Sequence, residues 1–190
     1  MPVASGGAMT AVRFREGLLA GRSVAVTGAG DRLAALGASV EPVPDAWSLD
    51  EAGAQAWATA LAGRCEGVDA LVADASEPFG LGGAEGLAAA LDGSWRLARA
   101  LAAAAMIPAE RGGAIVLVAP RPGAGPHAQA ARAGLENLAR TLSIEWARFG
   151  IRVCAVGPAD STAGEDLAEL VAWLVSPAGE YVSGCLLELR

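Results

Sequence analysis

The chain has 190 residues, of which 53% are apolar and 18% are charged, so a sizeable hydrophobic core can form and intrinsic disorder is excluded. Its net charge of −7 argues against a surface for nucleic acid or for anionic membranes, because such surfaces need clustered basic residues. All 14 basic residues are arginine. The absence of lysine means that no lysine ammonium group can take part in catalysis.

Three cysteines are scattered at Cys65, Cys154 and Cys185, without a CxxC pair or a Cys/His cluster. This spacing predicts free thiols in a reducing compartment and no metal site. The amino-terminal stretch has no apolar segment typical of a signal peptide, and no apolar run is long enough to span a membrane. We therefore predict a cytoplasmic protein with a flexible leader at residues 1–10 and a single domain at residues 11–190.

Short apolar runs alternate with helical patterns along the chain up to residue 118. The apolar runs predict four strands, at Ser23–Thr27, Ser39–Val43, Val68–Ala73 and Ala114–Val118. Amphipathic helices are predicted between them at Leu49–Leu61 and Gly83–Ile107, the second with a break near Gly93. Such an alternation is typical of an α/β protein with a parallel sheet.

The segment from Pro126 to Pro158 carries the clearest pattern. Its apolar residues recur at spacings of three and four, which is one stripe of a helix; they are Ala128, Ala131, Leu135, Leu138, Leu142 and Trp146. Gly150 is predicted to end this helix in the C′ position. The run Ile151–Val156 has no helical stripe and several β-branched residues, so it predicts a buried strand.

A last helix is predicted at Glu165–Val175, soon after the strand that precedes Pro158. The acidic residues near its start predict a solvated first turn; they are Glu165, Asp166 and Glu169. The ending SPAGEYVSGCLLELR predicts a turn and a final strand.

The helix of residues 128–149, followed by GIRVCAVGP, resembles the short-chain dehydrogenases/reductases. The likeness covers nearly the whole chain and is most specific over residues 113–156 and 170–189. It implies a Rossmann-like α/β fold, with a doubly wound parallel sheet of about six strands and helices on both faces. Compared with the family, one βα unit after Gly30 and the substrate lid after Pro158 are trimmed.

The resemblance also implies where catalytic residues would lie, and each position is replaced. The family's Tyr-x-x-x-Lys pair corresponds to Ala128 and Arg132, and its catalytic Asn to Ala90. Alanine has no proton to give, and arginine does not titrate near neutrality. His127 is the one titratable neighbour with a suitable pKa, but it lies beside the Tyr position, and a polar residue at the helix entry is the simpler interpretation.

The cofactor motifs are reduced in the same way. The family's Gly-rich turn is cut off after Gly28 and Gly30, and Asp31 follows where a pyrophosphate would lie. The Asn-Asn-Ala-Gly motif after the next strand is replaced by residues 73–76, with Asp74 at an Asn position. We therefore expect Gly28, Gly30 and Asp74 to be a vestigial cofactor site that binds no cofactor, or NAD or NADP if it still functions.

Three functions follow from these replacements. The favoured hypothesis is a non-catalytic subunit in a homo- or hetero-oligomer with an intact member of the family. In the family, the helices at 94–107 and 128–149 and the segment 165–189 form subunit interfaces, and these segments are the best kept here. The alternatives are a stand-alone module that binds a nucleotide or acyl-CoA, and a divergent NAD(P)-dependent oxidoreductase.

Overall fold

A computed structural model describes residues 14–28, 30–80 and 82–190; the predicted leader at residues 1–10 lies outside this part of the chain. Six parallel strands form one sheet in the order β2-β1-β3-β4-β5-β6. They are β1 (Ser23–Val26), β2 (Ser39–Pro42), β3 (Ala70–Asp74), β4 (Gly113–Val118), β5 (Ile151–Gly157) and β6 (Leu186–Glu188). The prediction of a Rossmann-like parallel sheet of about six strands is confirmed.

Helices connect successive strands and pack on both faces of the sheet. They are α1 (Asp31–Ala35), α2 (Glu51–Arg64), α3 (Ser76–Phe79), α4 (Gly83–Leu101), α5 (Ile107–Ala109), α6 (Ala128–Glu145) and α7 (Gly164–Val175), with 3₁₀ turns at Pro122–Ala124, Ala147–Phe149 and Pro177–Gly179. None of the helices within the described ranges is both long and apolar enough to cross a membrane.

The trimmed βα unit is visible in the topology. Only β2 lies beyond β1 on one side, whereas four strands lie on the other. The chain leaves β1 toward β2 and then returns to β3 on the opposite side of β1. The carboxyl ends of β1 and β3 therefore mark the switch point at which open α/β sheets bind ligands.

Side chains alternate strictly between the two faces of the sheet. On β4, Ile115 and Leu117 point into a core shared with α2, α4 and α6, whereas Val116 and Val118 point into a smaller core with α1 and α7. A strand of period two that is buried on both faces has to be apolar throughout. This is why GAIVLV shows no polar alternation and why IRVCAVG has a charged side chain only at Arg152, near its start, where the strand is half-buried.

The predicted break at Gly93 is wrong, because α4 continues through this residue. Gly93 is needed for close approach instead: a Cβ atom there would lie 2.7 Å from a ring carbon of Trp47. The irregularity comes later, where residues 102–106 form a π-helical turn. Pro108 follows directly, and its ring would clash with the carbonyl of residue 104 in a regular α-helix, so the wider turn accommodates it.

The segment around α6 agrees closely with its prediction. The helix begins at Ala128, and Gly150 adopts the left-handed conformation, with φ of +69°, before β5 starts at Ile151. The apolar stripe faces the sheet, with Ala131, Leu135 and Leu142 fully buried. Burial of this stripe fixes the rotation of α6 and hence the direction in which Ala128 and Arg132 point.

Candidate functional site

The carboxyl ends of β1, β3 and β4 surround a cavity of about 400 Å³, which α1 and α7 close from the side. Gly28 and Asp74, two of the three predicted cofactor residues, line this cavity. Thr27 ties the two strand ends together, since its Oγ1 accepts a hydrogen bond of 2.9 Å from the Asp74 backbone N–H. The fold therefore keeps a ligand-sized crevice at its switch point.

The third predicted residue, Gly30, has a packing role. A Cβ atom at Gly30 would lie 2.5 Å from Cγ1 of Val40 on β2, so glycine is needed for the edge strand to approach α1. Gly28 differs, because nothing lies within 4 Å of its hypothetical Cβ. The two glycines of the shortened motif thus serve different purposes, and only Gly28 lines the crevice.

Arg132, which the resemblance assigns to the family's Lys position, is buried within the fold. One guanidinium nitrogen donates to the carbonyl oxygens of Pro120 and Pro158, both at 2.9 Å, and the other lies 3.2 Å from the Glu188 carboxylate. Gly157 makes room for this group, because a Cβ atom there would lie 2.6 Å from it. The guanidinium therefore links the chain segments after β4 and β5 to β6.

The other residues that the resemblance assigns to catalytic positions are alanines. Ala128 is buried at the first turn of α6, and Ala90 is fully buried in α4. His127 is exposed, with a left-handed backbone φ of +68° immediately before α6. Its placement agrees with the simpler interpretation, a polar residue at the helix entry.

The predicted loss of the substrate lid is borne out by the connection between β5 and α7, which spans only residues 158–163. Arg121, from the loop after β4, donates to the carbonyls of Ala159, Asp160 and Thr162. Asp160 in turn accepts a hydrogen bond of 2.8 Å from the Gly123 backbone. These contacts hold the short connection down and bring the first turns of α7 against the strand ends.

Carboxylates dominate the polar groups of the cavity wall. In the part of the chain that the structure describes, they are Asp31, Asp74, Glu165 and Glu169, and Arg32 is the basic residue of the lining. Arg32 already forms a salt bridge with Glu169, to which its Nε donates at 2.7 Å. The prediction that Glu169 belongs to a solvated first turn is wrong: its side chain is only 13% exposed, because α7 packs against α1.

A dinucleotide pyrophosphate does not fit these residues. The family binds it at the amino terminus of a long helix, but α1 has five residues and Asp31 in its first turn, so little positive end-charge remains. Two unit charges about 6 Å apart interact by roughly 3 kcal/mol at an effective dielectric constant near 20. A doubly charged pyrophosphate among these carboxylates would accordingly be repelled by several kcal/mol.

A large pKa shift lies outside the cavity. Burial, followed by the neighbouring Cys185, raises the pKa of the Cys154 thiol to about 12. Cys154 lies on β5 under α7, and its thiol donates to the carbonyl of Val182. Within the described residues, no group of three or more His, Cys, Asp or Glu side chains is arranged to hold a metal ion.

Solved structures resemble the chain along nearly its full length. A short-chain dehydrogenase from Mycobacterium smegmatis aligns with a TM-score of 0.76 and 24% identity, over 95% of this chain and 97% of that one. The citronellol catabolism dehydrogenase of Pseudomonas aeruginosa aligns with a TM-score of 0.73 and 24% identity, over 93% of this chain and 96% of that one. A hydroxysteroid dehydrogenase from Escherichia coli aligns with a TM-score of 0.68 and 19% identity, over 90% of this chain and 96% of that one.

The chain has the short-chain dehydrogenase/reductase fold. At these identities the likeness concerns the fold alone. No protein-family model matches the chain, and no curated protein matches it.

Sequence reasoning missed the wall that α7 contributes to the cavity. Leu167, Ala168 and Glu169 line it, together with Arg32 from α1. One signal was available: the connection after β5 is short, so the first turns of α7 have to lie near the strand ends. The pairing of Arg32 with Glu169, 137 residues apart, had no local signal.

Proposed function

We propose that this protein is a non-catalytic subunit that pairs with an intact member of the short-chain dehydrogenase/reductase family. The burial of Arg132 is the observation that supports this most directly. Its guanidinium is engaged by two backbone carbonyls and Glu188, and the adjacent Tyr position is Ala128. Neither side chain can act as the proton donor that acid–base catalysis of the family's kind needs. The helix that carries both residues, α6, is nevertheless present.

The outer surface of α4 and α6 supports pairing. Trp95 on α4 stacks on Trp146 at the end of α6, with ring centroids 6.4 Å apart, and is still 39% exposed. Ile144 on α6 is 74% exposed. Large apolar side chains at such exposure on adjoining helices favour an interface, since aromatic and aliphatic anchors dominate subunit contacts.

The exposed stripe of α6 suits a second helix of the same kind. Its members are Ala130, Ala133, Asn137, Thr141 and Ile144. Their spacing is symmetric about Asn137, so a two-fold related antiparallel helix would bring Ile144 opposite the position of Ala130. A large residue opposite a small one is the complementarity that an isologous contact between like subunits needs.

The two alternatives have less support. A nucleotide and acyl-CoA both carry phosphates, which the carboxylates of the cavity disfavour. A divergent oxidoreductase of the family's kind would need a hydroxyl or imidazole acid/base beside the cavity. The titratable side chains that line it are carboxylates, and exposed His127 does not line it.

The proposal is tested by co-expressing the chain with the intact family member encoded nearest to it and measuring the mass of the purified complex. We expect a mixed complex with near-equal amounts of the two chains. Ile144→Arg should abolish it, whereas Ala35→Arg, which adds the same charge on the exposed side of α1, should not. A stable monomer that ignores the partner would overturn the proposal. Turnover of a carbonyl with NADH or NADPH by the chain alone, lost on His127→Ala, would establish the oxidoreductase instead.

A further inference from the structure

The floor of the cavity between α1 and α7 is apolar. Six aliphatic side chains from β1, β3, β4 and the two helices form it; they are Val26, Leu33, Val72, Val118, Leu167 and Val171. These residues belong to the smaller of the two hydrophobic cores or pack against it. The volume of the cavity, about 400 Å³, is in the range of sites that hold small organic molecules.

The charge at the rim decides which molecules suit this floor. Asp31, at the start of α1, and Asp74, at the end of β3, both line the cavity. Asp74 is held in place, because one of its carboxylate oxygens accepts hydrogen bonds from the Ser76 backbone and hydroxyl at 3.0 and 2.6 Å. Among the described residues that line the cavity, Arg32 carries the positive charge, and its guanidinium forms a salt bridge with Glu169.

The amino terminus of α7 works against this negative charge but is too weak to reverse it. A helix end carries about half an elementary positive charge. Asp166, in the first turn of α7, carries a full negative charge. Asp31 offsets the end of α1 in the same way. The site as a whole therefore favours a cation.

We propose that this cavity binds a small organic monocation, a protonated primary amine attached to an alkyl or arylalkyl body. The apolar floor takes the body and the carboxylates of Asp31 and Asp74 take the ammonium group. An inorganic cation would leave the floor unused, and the described residues hold no cluster suited to a metal. The proposal does not depend on subunit pairing, which involves α4 and α6 on the other face of the sheet.

Three probes with one body and different head charges test it on the wild-type chain. They are 4-phenylbutylamine, 4-phenylbutan-1-ol and 4-phenylbutyrate, compared by calorimetry and by the shift in melting temperature. We expect the amine to bind about tenfold more tightly than the alcohol and the carboxylate to bind weakest, and we expect added salt to narrow the difference. NADH should not bind.

Charge-removing variants then locate the site. Asp31→Asn and Asp74→Asn keep the side-chain size and should each lower the affinity for the amine several-fold, without changing the affinity for the alcohol. Asp92→Asn, which removes an exposed carboxylate from α4, is the matched control and should change neither. Equal or tighter binding of 4-phenylbutyrate or NADH, an equal loss in Asp92→Asn, or no binding of any probe would overturn the proposal.

Discussion

Helices of 14, 19 and 18 residues, α2, α4 and α6, cover one face of the sheet, whereas α1 and α7, with five and 12 residues, cover the other. The first face is closely packed, and the second contains the cavity. Both faces have the same apolar strands, so the difference comes from the helices. The short α1 and the short connection between β5 and α7 leave the second face with less cover.

The two faces of the sheet differ in what they could serve: one has a packed core, and the other has a ligand-sized cavity. The closely packed face contains the helix pair α4 and α6, on which the proposed partner would dock. The thinly covered face contains the crevice, whose carboxylates do not suit a pyrophosphate. We infer that the fold was retained as a scaffold for interaction while its cofactor site diverged.

The largest expected effect concerns Arg132, which joins the two regions. Arg132→Ala leaves the buried carbonyls of Pro120 and Pro158 without a donor, and we expect a loss of about 3 kcal/mol in the free energy of unfolding. Arg140→Ala is the matched control, because Arg140 is exposed on the same helix and forms an i, i+4 salt bridge with Glu136. It should cost no more than about 0.5 kcal/mol. Urea unfolding of both variants measures the difference; equal losses would mean that Arg132 is not a structural link.

How far the sequence could predict these two regions differs for a physical reason. Strands, helices and the parallel sheet follow from local periodicity, which is why α6, Gly150 and β5 were predicted within a few residues. The partners of Arg132 come from residues 120, 158 and 188, and only the folded chain brings them together. Likewise, the burial of Glu169 results from the packing of α7 against α1, which no local sequence pattern indicates.

The same substitution on the two faces should have opposite effects. Ala131→Leu forces three further carbon atoms into the packed core under α6, and we expect a loss of about 1–3 kcal/mol. Ala168→Leu places them over the apolar floor of the cavity, and we expect a gain of about 1 kcal/mol. Denaturant unfolding of the two variants and the wild type compares them directly. A loss of similar size for both would mean that the second face is as closely packed as the first.

Ala168→Leu also connects stability with the cavity. Because the added side chain occupies the floor, the variant should bind 4-phenylbutylamine more weakly while it is more stable. A more stable variant with unchanged binding would place the amine elsewhere.

A smaller effect concerns alkaline pH. The folded pKa of Cys154, raised to about 12 by burial, exceeds the ordinary value of 9.0 in the unfolded chain, so the unfolded state loses the proton first as pH rises. Stability from this group is complete below about pH 9 and should fall by about 1.4 kcal/mol per pH unit above it. The slope can be measured in this alkaline pH range because few other side chains titrate there: the chain has no lysine and one tyrosine.

Unfolding at pH 8 and pH 10, under reducing conditions, measures this slope. Cys154→Ser should reduce it, whereas Cys65→Ser should leave it unchanged. If both variants keep the wild-type slope, the buried thiol is not its source.

The smallest expected effect separates the two glycines of the shortened motif. Gly30→Ala brings a Cβ atom against Val40, and since a valine on an edge strand can adjust, we expect a loss of only about 1 kcal/mol. Gly28→Ala meets open space and should change stability by less than about 0.5 kcal/mol. Val40→Ala removes the atom that clashes, so adding Gly30→Ala to it should cost less than in the wild type. An equal cost in both backgrounds would show that Gly30 is needed for a reason other than the approach of β2, and the turn after β1 would then have to be considered again as a site for a ligand.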